Sequence, residues 1–172
     1  WSEPAVVLDR ARYQADGQGF LKPQFRQIFV LPASGGTARQ LTSGDFHYGS
    51  DLSFTPDSNG LVFSANLDPD WEFQPRDSNL YRLDLASGEL TALTTMAGDE
   101  SAPVFSPDGK QLAFLWQSNA LVPYSNSKLK VLALNSNAIS DIAAVFDRSI
   151  DNPRWLSNSS FVVQYDDRGQ RK

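Results

Sequence analysis

The sequence has one histidine, His47, three residues before Ser50 and four before Asp51. Imidazole, hydroxyl and carboxylate are the groups of a nucleophilic triad, but a triad needs the histidine bonded to both partners in space, usually from separate elements. Three neighbours on one loop do not meet that condition, and a loop between sheets is the plainer reading. Asp57-Ser58-Asn59-Gly60 opens like a calcium loop and lacks the later carboxylates at ligand spacing. Asp166 and Asp167, followed by Arg168, could share acid–base work or bind a substrate amine; a solvated turn is the rival reading. No Gly-Xaa-Ser-Xaa-Gly elbow, the turn that exposes a hydrolase serine, occurs anywhere. With zero cysteines, disulfide frameworks, thiolate zinc sites and cysteine nucleophiles are excluded. No catalytic residue, metal or cofactor is expected.

Two long polar stretches are better candidates for contacts. The first, between Ala65 and Asn79, holds Asp68, Asp70, Trp71, Glu72, Phe73, Arg76 and Asp77; the second, between Gln117 and Lys128, holds Pro123 and Tyr124. Long aromatic and charged loops on a rigid scaffold commonly carry binding, although a spacer covering neighbouring sheets would look the same. Trp71, Glu72, Arg76 and Tyr124, with Asp166, Asp167 and Arg168, are therefore the candidate substrate or domain contacts.

The elements that must position these residues follow from an internal repeat. Phe54-Thr55-Pro56-Asp57-Ser58-Asn59-Gly60-Leu61-Val62-Phe63 aligns without gaps on Phe105-Ser106-Pro107-Asp108-Gly109-Lys110-Gln111-Leu112-Ala113-Phe114. A weaker copy begins at Trp155, so the aromatic anchors stand 51 and 50 residues apart. These three aromatics read as core between sheets. Ile28 to Leu41-Thr42 matches Leu80 to Leu93-Thr94 at a step of 52, with an eroded copy from Leu129 to Ile142. Alternating apolar residues such as Leu80, Leu83 and Leu85 suit half-buried strands. Pro107-Asp108-Gly109-Lys110 reads as a tight turn, with proline presetting one dihedral and glycine accepting positive φ.

Four short strands per unit of about fifty residues is the arithmetic of a β-propeller blade. The expected fold is all-β: a partial propeller of about three four-stranded antiparallel blades. Residues 1–50 would be a lead-in and the outer hairpin of one blade, 51–101 and 102–150 two blades, and 151–172 the start of the next. If the strands are a to d in order, the a–b and c–d turns share one rim. The long b–c connections lie on the other. A three-blade arc leaves its terminal blade faces uncovered, so self-association is expected.

Of 172 residues, 41% are hydrophobic and 20% charged, a globular balance. The net charge of −5 argues against a nucleic-acid surface or a polybasic membrane patch. Apolar runs of about five residues are too short to span a bilayer. The sequence opens on Trp1 without an initiator Met, as expected of a segment of a longer chain.

The proline, aromatic-Ser-Pro-Asp-Gly-Lys turn, apolar strand and terminal Leu-Thr resemble the propeller repeats of TolB and of prolyl oligopeptidase-family serine peptidases. Arg12 to Phe20, Phe146-Asp147-Arg148-Ser149 with Pro153-Arg154-Trp155, and Tyr165 to Gly169 resemble the acylaminoacyl-peptidase-like branch of that family. The resemblance implies a parent enzyme hydrolysing peptides, of acylaminoacyl or dipeptidyl peptidase type. Its C-terminal α/β-hydrolase domain, absent from these residues, would carry the triad, and the propeller would gate substrates by size and contact that domain. The alternative is a TolB-like or stand-alone propeller acting as a protein-binding scaffold.

Overall fold

The structure is a computed structural model that describes residues 5, 7–22, 24–120 and 124–172. Its elements are strands, turns and loops, with no helix among the described residues. The first four-stranded sheet comprises β5 (Ser50–Phe54), β6 (Gly60–Ala65), β7 (Asn79–Asp84) and β8 (Leu90–Ala92) in that spatial order. The second comprises β9 (Asp99–Phe105), β10 (Gln111–Gln117), β11 (Lys128–Ala133) and β12 (Ala138–Asp141), again in sequence order. All neighbouring strands are antiparallel.

Four two-stranded hairpins flank these sheets: β1 (Gln14–Ala15) with β2 (Gly19–Phe20), and β3 (Phe29–Val30) with β4 (Arg39–Gln40) before them. After them come β13 (Asp151–Ser157) with β14 (Ser160–Gln164), and β15 (Asp166–Asp167) with β16 (Gln170–Arg171). By the repeat, the hairpin of β3 and β4 supplies the two outer strands of a blade, and that of β13 and β14 the two inner ones.

The conserved chemistry of the two full copies is a turn staple. Thr55 Oγ1 donates to Asp57 Oδ1 at 2.6 Å and accepts the Gly60 N–H at 2.8 Å. Ser106 Oγ repeats both bonds with Asp108 Oδ1 at 2.6 Å and the Gln111 N–H at 3.0 Å. A buried hydroxyl thus satisfies backbone that the turn would leave unpaired. The bond from Thr55 also explains the calcium-like spelling at Asp57, whose carboxylate also accepts the Asn59 N–H at 3.1 Å. The terminal threonines act the same way on the third strand: Thr42 Oγ1 accepts the Ile28 N–H, and Thr94 Oγ1 the Leu80 N–H, both at 2.9 Å. The eroded third copy has Ala143 at this place.

The core lies between sheets. Val62, Leu80, Leu112, Phe114 and Leu132 form one buried cluster, on which Phe105 packs. Ala113, Leu115, Leu129, Val131 and Ile150 form the next, on which Trp155 packs. The first anchor departs from the expectation: Phe54 is 63% exposed. The side on which Phe105 and Trp155 meet a preceding four-stranded sheet has, for Phe54, only the two-stranded hairpin of β3 and β4, which by the repeat corresponds to outer strands.

Candidate functional site

The turns after β5, β7, β9 and β11 are short, whereas residues 66–78 run from β6 to β7 as a long loop on the opposite rim, and the described residues 118–120 and 124–127 between β10 and β11 are likewise outside any strand. The first loop folds on itself: Asp68 Oδ1 accepts the Asp70 N–H at 2.8 Å, and Asn66 Nδ2 donates to the Gln74 carbonyl at 2.7 Å. Asp77 Oδ1 ties it to the Gly98 N–H at 2.9 Å. The acids at 68 and 77 are thus committed to backbone, and the loop presents Trp71 and Glu72.

These two meet the segment that precedes β3. Glu72 accepts the Ala11 N–H at 3.0 Å and pairs with Arg10 at 3.6 Å. The Arg10 guanidinium lies 4.8 Å from the Phe25 ring centroid, a cation–π placement. Phe25, His47 and Trp71 stack as a tilted and edge-on trio, with His47 5.5 Å from Phe25 and 5.4 Å from Trp71. His47 Nδ1 accepts the Arg26 N–H at 3.2 Å, which fixes it as the unprotonated nitrogen. Burial, then the charges of Arg26, Arg12 and Arg10, hold the imidazole pKa below its ordinary value. Asp51 turns its carboxylate to the Ala102 N–H at 3.2 Å instead, so His47 and Asp51 form no catalytic pair.

Arg10, Arg26, His47, Trp71 and Glu72 border a cavity of about 1250 Å³ on this rim. Arg10, Arg12, Lys22 and Arg26 stand on the side of the N-terminal segment, and Asp99 and Glu100 at the start of β9 on the other. Glu100 is fully buried. One carboxylate oxygen accepts from Thr94 Oγ1 and from the Leu80 N–H at 3.1 Å, and the other has no hydrogen-bond partner among the described residues. Burial raises its pKa to about 7 against the opposing pull of those bonds and of Lys130.

The remaining sequence candidates lie elsewhere. Arg76 is exposed and outside the cavity lining. Tyr124 is 93% exposed, and Pro123 falls outside the described residues. Asp166, Asp167 and Arg168 form the terminal hairpin of β15 and β16, where Asp167 pairs with Arg148 at 3.4 Å and Lys172 at 3.3 Å. Arg168 occupies the turn at φ 51°. The structure therefore brings together Trp71 and Glu72, and not these others. Sequence reasoning missed Arg10, Phe25 and Glu100 and set His47 aside. Glu100 had a legible signal: the same repeat position carries Gly49 and Ile150, and an acid there departs from packing demands.

Comparison with known proteins decides the family. Residues 12–124 match the family described as dipeptidyl peptidase IV (DPP IV) N-terminal region. The chain belongs to that family. A probable dipeptidyl-peptidase 5 of Aspergillus flavus is 30% identical over 176 residues, covering 95% of this chain and 23% of the relative. An uncharacterized peptidase, YuxL, of Bacillus subtilis is 38% identical over 62 residues, covering 36% of this chain and 9% of the relative. This DPP IV N-terminal-region chain thus spans under a quarter of those relatives' length. Among solved structures, a puromycin-hydrolyzing peptidase of Mycobacterium tuberculosis superposes with a TM-score of 0.64 at 18% identity, over 81% of this chain and 24% of that one. TolB of Acinetobacter baumannii gives 0.54 at 18% identity, over 84% and 36%. The fold is that of a propeller segment, of the kind prolyl oligopeptidase-family peptidases carry at the N-terminus.

Proposed function

We propose that this chain is a non-catalytic propeller segment of a serine peptidase of the dipeptidyl peptidase type, acting on peptides. Its role is to gate substrate access and to contact the parent's hydrolase domain through the rim that bears the long loops. The cavity of about 1250 Å³ carries this reading, because His47 and Trp71 line it with aromatic edges, and Arg12, Lys22 and Arg26 on one side with Asp99 on the other suit an extended peptide with charged ends. The family and the dipeptidyl-peptidase relatives support the substrate class. No elbow serine lies in these residues, so the chemistry belongs to the parent's other domain.

The test uses the full-length protein carrying this segment, assayed on dipeptidyl anilides and on a small aryl ester. Trp71→Ala is expected to raise KM for the peptide substrate about tenfold and to leave ester turnover within about twofold, as loss of one well-packed contact would. An intact protein with no peptidase activity, or an unchanged KM, overturns the reading.

A further inference from the structure

Three cations on the cavity wall formed by the N-terminal segment have nothing to neutralise them. Arg12, Lys22 and Arg26 line the cavity, and none pairs with an acid among the described residues. Arg10 differs, being held by Glu72 at 3.6 Å. Asp9, on the same segment, pairs with none of the three, and Asp99 and Glu100 stand on the opposite side. The chain carries a net charge of −5, so this gathering of positive charge runs against its overall sign. Like charges in a concave wall raise the local potential and draw anions to it.

His47 stands in this field and adds a donor. Its Nδ1 accepts the Arg26 N–H at 3.2 Å, so the neutral ring carries its proton on Nε2. That N–H has no acceptor among the described residues, although His47 lines the cavity. Arg26 and Arg12 lie close enough to the ring for both charges to press on it. The ring itself is held in place, with Phe25 at 5.5 Å and Trp71 at 5.4 Å between centroids. Glu72 ties the segment to the long loop through the Ala11 N–H at 3.0 Å. One fixed N–H and two planar guanidinium forks are a donor set matched to a pair of anionic oxygens.

We propose that Arg12, Arg26 and the Nε2–H of His47 form a subsite for a carboxylate, which favours peptides that carry one. The assignment rests on the peptide-gating role proposed above and adds the chemistry that selects among peptides. A peptide offers its carboxylate at the C-terminus or on an Asp or Glu side chain, and the same forks suit either. Lys22 contributes charge from the same wall without the direction of a fork.

The test uses the full-length protein carrying this segment and labelled peptides matched in length. One pair differs as C-terminal acid against amide, the other as an internal Glu against Gln. Fluorescence anisotropy should show at least one pair in which the acid binds about tenfold more tightly than its neutral partner. The pair that shows it identifies the source of the carboxylate. The preference should shrink as NaCl rises from about 50 mM to about 500 mM. It should fall at least about threefold in Arg12→Gln and in Arg26→Gln, and Arg26→Lys should keep part of it. Equal binding within both pairs overturns the subsite, and so does a preference that survives both substitutions. Turnover of the same peptides is read in parallel. A protein that cleaves none of them overturns the peptidase reading alone, because the anisotropy comparison still decides the subsite.

Discussion

The carboxylate of Asp51 accepts the backbone N–H of Ala102 at 3.2 Å, and the two residues hold the same place in successive repeats. Both have positive φ, 58° and 51°, and the third copy repeats this at Asn152 with φ 47°. The pairing register of each inner strand slips beside these residues. The strands β5, β9 and β13 thus each carry a bulge with one residue in the left-handed region, the device by which a strand bends without breaking its ladder. The bulge puts the next strand's amide within reach of Asp51, and so links neighbouring sheets at their inner edges.

Asp51→Asn should therefore be nearly neutral, within about 0.5 kcal/mol, because asparagine keeps the acceptor and tolerates the left-handed region. Asp51→Ala loses both, and should cost about 1–2 kcal/mol in urea melts. Equal behaviour of the two variants would show that the inter-sheet bond contributes nothing.

The staple turns give a second contrast. Ser58 and Gly109 occupy one repeat position, both at positive φ, 59° and 70°. Ser58 is exposed, so Ser58→Gly removes backbone strain without losing packing and should stabilise by about 0.5–1 kcal/mol. A Cβ at Gly109 would meet Pro56 of the neighbouring sheet's turn at 2.8 Å. Gly109→Ala should cost more than about 1 kcal/mol. Thermal unfolding of both variants under one buffer checks the opposite signs.

The aromatic anchors separate by neighbour. Phe105→Ala should cost about 3 kcal/mol as a core truncation. Phe54→Ala, at a ring 63% exposed, should cost under about 1 kcal/mol, and Lys110→Ala should stay within about 0.5 kcal/mol. Denaturant melts that rank Phe54 with Phe105 would show that Phe54 is buried in solution, against its exposure in the fold.

These residues also show what was legible in the sequence. The repeat exposed the strands, because each turn is written in local chemistry: Thr or Ser for the staple, Asp for the acceptor, Gly or Ser for the positive φ. The cavity was not legible, because it joins Arg10 to Glu72 and Phe25 to Trp71 across 62 and 46 residues with no periodic pattern between them. Trp71 and Glu72 were found through loop length, a property of the scaffold. Their partners come from a non-repeating segment whose position only the fold determines. Phe54 was misjudged for the same reason: a repeat predicts a residue's role, and its burial depends on whether the neighbouring copy is there.

The acid at Glu100 makes the last prediction, and its sign follows from linkage. Its folded pKa of about 7 lies above the ordinary 4.5, so between these values the folded chain holds a proton that the unfolded chain has released. Stability from this group is present below about pH 4.5, falls as pH rises through the window, and is lost above about 7. The slope is up to about 1.4 kcal/mol per pH unit, and the whole effect about 3 kcal/mol. His47, whose pKa is lowered, contributes with the opposite sign, as its unfolded form takes up a proton near pH 6.5. The difference between wild type and Glu100→Gln cancels that term. Glutamine keeps an acceptor for Thr94 and the Leu80 N–H and carries no charge at any pH. The variant should gain on wild type steadily from pH 5 to pH 7 and be the more stable of the two at pH 8. Urea melts at four pH values measure this directly. A constant difference between the two proteins would mean that Glu100 is ionised in the fold throughout, with Lys130 offsetting the loss of water around its carboxylate.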